Sequence, residues 1–207
     1  MGAGFDLTAL GWRVLLFGGS SGIGKSAVAL RLGQRLGLPW LQVDDFRLAL
    51  LRSGVPFPDA DAVATFDGAG GLLAHGELLA PAIEVVIENH VDQQHPVILE
   101  GDAILPSLFE RPSVRRNADS GWLRAVFLYE PEASVIQENM QARGRTLADT
   151  AHAHKNWQYG GWLRQQAALR GLHTLTVRPW DTLEERILHV ASLPLTLRAP
   201  HAAGSHR

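Results

Sequence analysis

Residues 13–26 read Arg-Val-Leu-Leu-Phe-Gly-Gly-Ser-Ser-Gly-Ile-Gly-Lys-Ser, and the fold turns on this stretch. Arg13 to Phe17 is a short, partly β-branched apolar run stopped by Gly18 and Gly19, which suits a buried strand feeding a tight loop. Gly19, Ser20, Ser21, Gly22, Ile23, Gly24, Lys25 and Ser26 then carry the spacing of a phosphate-binding loop. Glycines there let the backbone turn several N–H groups toward phosphate oxygens, and the N-terminus of the following helix adds a favourable dipole. Lys25 is expected to reach the β- and γ-phosphates of a nucleoside triphosphate, and the Ser26 hydroxyl to be a ligand of Mg2+. A chance match in a chain this long is on the order of one per cent, before strand and helix are required on either side.

Outward from the loop, Val28, Ala29, Leu32 and Leu36 recur at helical spacing until Gly37 and Pro39 end the helix. Trp40 to Val43 reads as a second strand ending in Asp44-Asp45, with a helix from Phe46 to Arg52. Residues 53–71, rich in Gly, Pro, Asp and Ala, predict a mobile loop or short-helix insert. Leu72 to His90 follows a helical pattern despite Pro81, and Val97 to Glu100 and Leu123 to Tyr129 predict two more strands. Pro131 opens a helix to about Gln141, and the polar segment after it leads to a helix near Tyr159 to Leu169; residues of about 142–160 are the candidate lid. His173 to Val177 predicts a fifth strand, and Asp181 or Thr182 caps a last helix, Leu183 to Ala191. The order predicts an α/β, three-layer, nucleoside-kinase-like P-loop NTPase fold with a mostly parallel five-stranded sheet and a helical lid. Residues 1–192 read as one domain and 193–207 as a flexible tail, with ligands at the strand carboxyl ends.

Composition narrows the function classes. Apolar residues at 46% and charged residues at 19% describe an ordinary globular chain rather than a disordered one. A formal charge of -2 supplies no strong field and disfavours nucleic acid as a partner. With no cysteine there is no disulfide framework, thiolate catalysis or cysteine-bound zinc. Met1 to Thr8 lack the pattern of a secretory signal and no apolar run is long enough to span a membrane, so a cytoplasmic location is expected. Oligomeric state is not legible.

A phosphate loop specifies binding and leaves the reaction to other residues. A kinase acting on a hydroxyl needs a carboxylate to orient the group and accept its proton, and Asp44, at a strand end, is the candidate general base. Asp45 is a candidate substrate contact or a helix cap, and Arg47, three residues after Asp44, shares its helix face. Glu100 and Asp102 follow the third strand, where either could serve magnesium or grip the acceptor. Arg143 and Arg145 flank a glycine where a lid could bring guanidinium groups onto the transferring phosphate. Arg178, in Arg178-Pro179-Trp180, lies where a base-binding loop is expected. His152, His154 and Lys155 receive no role, and Trp157, Tyr159 and Trp162 read as packing for the lid helix. A kinase for a nucleotide, a sugar nucleotide or the 5′ end of a nucleic acid is an alternative, which a groove lined by Arg111, Arg115 and Arg116 would favour.

The run Gly18 to Ser26, followed by Leu38-Pro39-Trp40 and Val43-Asp44, resembles the chloramphenicol phosphotransferases and the archaeal-type 2-phosphoglycerate kinases, both P-loop kinases. The similarity covers roughly residues 13 to 52 and returns at Ile98-Leu99-Glu100-Gly101. It implies ATP as phosphoryl donor, a hydroxyl on a small molecule as acceptor, and the acceptor-activating aspartate at Asp44. Asp45 stands where those families tend to carry a small hydroxyl residue, and residues 53–71 match neither acceptor region. A non-transferring, nucleotide-dependent switch is the reading from another class.

Overall fold

The computed structural model describes residues 10–58, 71–142, 144 and 149–198. Within them β1 (Val14–Gly18), β2 (Trp40–Gln42), β3 (Val97–Gly101), β4 (Leu123–Tyr129) and β5 (His173–Thr176) form one parallel sheet in the order β2-β3-β1-β4-β5. The central strand β1 pairs Val14 with Val97 of β3 on one side and with Leu123 of β4 on the other. Every residue of β1 and β3 is buried, because helices cover both faces of a parallel sheet.

Alternation along β1 divides the core in two. Val14 and Leu16 face a layer built by α2 (Val43–Arg52), α3 (Gly71–Asp92), α4 (Pro112–Asp119) and α6 (Asp149–Leu169), with Val43, Ile83, Val114 and Leu163 inside it. Leu15 and Phe17 face α1 (Lys25–Leu36), α5 (Ala133–Ala142) and α7 (Leu183–Ser192), with Val28, Ile136 and Ile187 inside. Strand order reverses about β1, so the crevice at the carboxyl end of that strand is where a ligand sits in such a sheet.

Several elements depart from the sequence reading. The second strand ends at Gln42, and Asp44 and Asp45 occupy the first turn of α2 instead of the strand end. Two carboxylates there complement the positive end of the helix dipole, while the fully buried Val43 anchors the turn. Pro81 sits inside the 22-residue α3 without ending it. Pro81 and Glu77, whose carbonyl loses its donor, both lie on the exposed side of that helix, where water can replace the bond. Helix α6 begins at Asp149 and runs unbroken to Leu169, ten residues earlier than the pattern at Tyr159 suggests. A 3-10 turn, Pro106–Glu110, and α4 are additional; both are too short to show a period. Residues 193–198, read as part of a flexible tail, lie against the domain: Leu195 is buried and the Arg198 amide donates 3.0 Å to the Arg170 carbonyl. Of the expected mobile segment, residues 59–70 are outside the described residues. Among the described residues no helix is long and apolar enough to cross a membrane.

Candidate active site

The loop leaves β1 at Gly18 and enters α1 at Lys25. Gly24, the residue before the helix, takes φ 92°, a left-handed conformation costly to any side chain, and an added Cβ would strike the Trp180 indole. Lys25 is buried and its Nζ donates 2.9 Å to the Ser20 carbonyl, so the ammonium is folded over the loop that it serves. The Ser26 hydroxyl donates 2.7 Å to Oε1 of Glu100, a carboxylate only 4% exposed at the end of β3. Ser21, Lys25, Ser26, Glu100 and Asp102 line a cradle of about 100 Å³.

A cavity of about 350 Å³ opens beside this cradle and shares Ser21 and Asp102 with it. Helix α2 contributes Asp44 and Arg47, α3 contributes His75, and α6 contributes His152, Lys155 and Asn156. Arg47 Nε donates 2.7 Å to Asp44 Oδ1, an i,i+3 pair on the helix face that their spacing gives them. The guanidinium pKa of Arg47 is raised by this hydrogen bond, against the opposing effect of burial, and further by the charges of Asp44 and Asp102. The Tyr159 hydroxyl, fully buried, donates 2.6 Å to the Asp102 carbonyl and so fixes the turn after β3. Burial, reinforced by the Asp102 charge, pushes the phenol well above its ordinary value and keeps it a donor. Asn156, also buried, accepts from the Ser21 amide at 3.2 Å and donates to the His152 carbonyl at 2.8 Å, which ties α6 to the phosphate loop.

On the opposite side of the cradle a third cavity, of about 310 Å³, shares Gly24 with it and is walled by Ile23, Ala27, Asn139, Arg178 and Trp180. Asn139 donates 2.9 Å to the Gly22 carbonyl, bracing the loop from α5. The Arg31 guanidinium lies 5.2 Å from the Trp180 ring centroid, a cation–π contact that holds the indole as a wall.

The structure thus brings Asp44, Arg47, Glu100 and Asp102 around one face of the phosphate loop and Arg178 to the other. It separates Glu100 from Asp102, which sequence leaves interchangeable: Glu100 bonds Ser26, whereas Asp102 stands where cradle and larger cavity meet. Asp45 is exposed on α2 and lines none of the three cavities. Arg143 and Arg145 lie outside the described residues. Arg111 is paired at 2.5 Å with Glu84, and Arg115 donates to the Leu197 and Arg198 carbonyls, so these two fasten helices and the segment 193–198. Trp157 donates to the Pro131 carbonyl at 2.8 Å and Tyr159 stacks with Trp162, so packing accounts for that trio.

Sequence reasoning missed His75, His152, Lys155 and Asn156. The available signal was the spacing 152, 155/156, 159, 163, one stripe of a helix whose first turns are polar and whose later turns are apolar. A helix starting at Tyr159 hides that stripe. Among the described residues no group of three or more His, Cys, Asp or Glu could hold a metal ion; Ser21, Ser26, Glu100 and Asp102 are the residues with side-chain oxygens that line the cradle.

No family model matches this chain, and no curated protein matches its sequence. Its fold is shared with solved structures. A tunicamycin resistance protein from Deinococcus radiodurans superposes with a TM-score of 0.54 at 18% identity, over 91% of this chain and 99% of that one. A gluconokinase from Sinorhizobium meliloti does so with a TM-score of 0.52 at 22% identity, over 88% of this chain and 93% of that one. At these identities the likeness is one of fold. The chain shares the α/β architecture of these two structures, with a five-stranded parallel sheet between two helical layers.

Proposed function

We propose that this chain is a phosphotransferase that moves the γ-phosphoryl group of ATP to a hydroxyl of a small molecule. One observation carries the reading: three contiguous cavities run through the phosphate loop, with Gly24 shared on one side and Ser21 and Asp102 on the other. A nucleoside fits the first, between Arg178, Trp180 and Ile23, phosphates fit the second, and an acceptor fits the third. A switch that only hydrolyses its nucleotide needs no third cavity. The gluconokinase of like fold is consistent with a small acceptor.

Loop amides and the Lys25 ammonium stabilise charge on the phosphates in place of water. The hydroxyl of Ser26 and the buried carboxylate of Glu100, already in contact, are oxygen donors that suit Mg2+. When bound, the metal neutralises charge on the β- and γ-phosphates. In the acceptor cavity Asp44 takes the proton of the acceptor hydroxyl as its oxygen attacks the γ-phosphorus and the bond to ADP breaks. Arg47 orients Asp44 through the 2.7 Å bond. Lys155 and His152, on the α6 wall, complement an anionic group elsewhere on the acceptor, in keeping with a phosphoglycerate-like or other hydroxy-acid acceptor; an antibiotic is the other class to test. A second reading makes Asp102 the base, because it alone of the two aspartates lines both cradle and acceptor cavity.

The test is magnesium-dependent ADP release from ATP across hydroxy acids, glycerate phosphates, aminoglycosides, other antibiotics and nucleosides, with Asp44→Asn beside the wild type. Stimulation by one compound, lost in the variant, supports the kinase and its base. Absence of stimulation by every compound, with both proteins alike, favours a switch instead.

A further inference from the structure

Glu130, the residue after β4, is a buried carboxylate for which the transfer chemistry above has no use. Its side chain is 1% exposed and the residue lines the nucleoside cavity beside Arg178 and Trp180. The two oxygens differ. Oε1 accepts from the Glu132 amide at 3.1 Å, which holds the turn into α5. Among the described residues Oε2 has no hydrogen-bond partner; Nε of Arg178 stands 3.7 Å away, close enough to offset charge and too far for a hydrogen bond. A buried carboxylate oxygen without a donor is destabilising, and such a group in a native fold calls for a missing partner. An ionised carboxylate only accepts, so the partner must bring an N–H or O–H.

The geometry points to Glu130 as the residue that reads the base: its Oε2 accepts one N–H from the amino group on the purine edge of the bound nucleotide. One unpaired oxygen matches one donor. This rests on the assignment of that cavity to the nucleoside, and it adds what that assignment leaves open, the feature by which the base is chosen. Arg178, more than half exposed, closes over the same carboxylate and supplies the flat cationic cover of the base.

Tryptophan fluorescence of the full chain, with Trp180 in the cavity wall, measures binding of three probes in the presence of Mg2+: ATP, purine riboside triphosphate, which keeps the ribose and phosphates but lacks the amino group, and tripolyphosphate. Wild type is expected to bind ATP about tenfold or more tighter than the amino-free analogue, the value of one hydrogen bond to a charged group. In Glu130→Met that ratio falls to about one, in Glu130→Gln it is intermediate, and tripolyphosphate binds all three proteins equally. Loss of the Arg178 counterion affects both nucleotides alike and cancels in the ratio. A wild-type ratio near one, as a bond to a ribose hydroxyl would give, overturns the inference, as does a wild-type ratio retained in both variants. Tripolyphosphate binding with no gain from any nucleoside removes the nucleoside assignment itself, and this inference with it.

Discussion

The hydroxyl of Ser26 and the carboxylate of Glu100 meet at 2.7 Å across 74 residues of sequence, joining the first turn of α1 to the end of β3. If this pair holds magnesium, Ser26→Ala and Glu100→Gln each raise the Mg2+ concentration needed for half-maximal ADP release by about 10- to 100-fold. Magnesium titrations at saturating ATP that superimpose on wild type would remove the pair from the metal site.

Asp44 and Asp102 share one cavity and differ in position, so substitution separates them. Asp44→Asn is expected to lower kcat by about 10²- to 10⁴-fold with the KM for ATP little changed. Asp102→Asn is expected to act more weakly. The reverse ranking in steady-state kinetics would transfer the base to Asp102.

Asn156 supplies both the acceptor for the Ser21 amide and a donor to the His152 carbonyl. Asn156→Ala removes the acceptor of the Ser21 amide from a buried site and is expected to lower stability by about 1–3 kcal/mol in urea unfolding. Because α6 lines the acceptor cavity, the KM for the acceptor should rise more than that for ATP. Equal changes in both would mean that the residue only supports the fold.

Tyr159→Phe removes the donor to the Asp102 carbonyl from a fully buried site. A loss of about 1–3 kcal/mol is expected in the same unfolding measurement. Unchanged stability would show that the turn after β3 finds another donor.

Glu84 and His173 each give stability a dependence on pH. Burial alone would push the Glu84 carboxyl up, but hydrogen bonds from Ser113 and Arg111, with the charges of Arg111 and Arg116, hold it below its ordinary 4.5. Its folded value is the lower one, so its contribution is present above pH 4.5 and is lost as pH falls through the folded value. Burial chiefly, helped by Arg124 and opposed by backbone hydrogen bonds to Pro194 and Leu193, lowers His173 from 6.5. The neutral ring is favoured in the fold, so this contribution is present above pH 6.5 and also fades on acidification. Glu84→Gln should flatten the acid limb of a stability profile below about pH 4.5, and His173→Asn the slope just below pH 6.5. Profiles parallel to wild type would count against both.

The strand, loop and helix from Val14 to Leu36 were legible because apolar runs and glycines there answer to short-range physics: a buried strand, a left-handed turn, an amphipathic stripe. Spacing put Asp44 and Arg47 on one helix face, and the structure adds that they pair with each other. What could not be read depends on long-range packing. Nothing near Asn156 in sequence announces that it meets Ser21, 135 residues away, and Glu130 differs from any exposed glutamate only through the elements that bury it. The early start of α6 was hidden because the polar residues 152, 155 and 156 face a cavity, where a helix of the core would show apolar ones.

That helix serves two masters. From Tyr159 onward it is cemented into the protein by Tyr159, Leu163 and Ala167, all fully buried, while its opening turns carry the wall of the acceptor cavity. A swing of the whole rod would tear out the interior, and the opening turns are tied down as well, by the buried Ala153 and by Asn156 on the Ser21 amide. Gly160 packs so near Ser20 that an added Cβ would come within 2.9 Å of its hydroxyl. Cavity wall and phosphate loop therefore lie against each other, and any side chain at position 160 would be felt first at the loop.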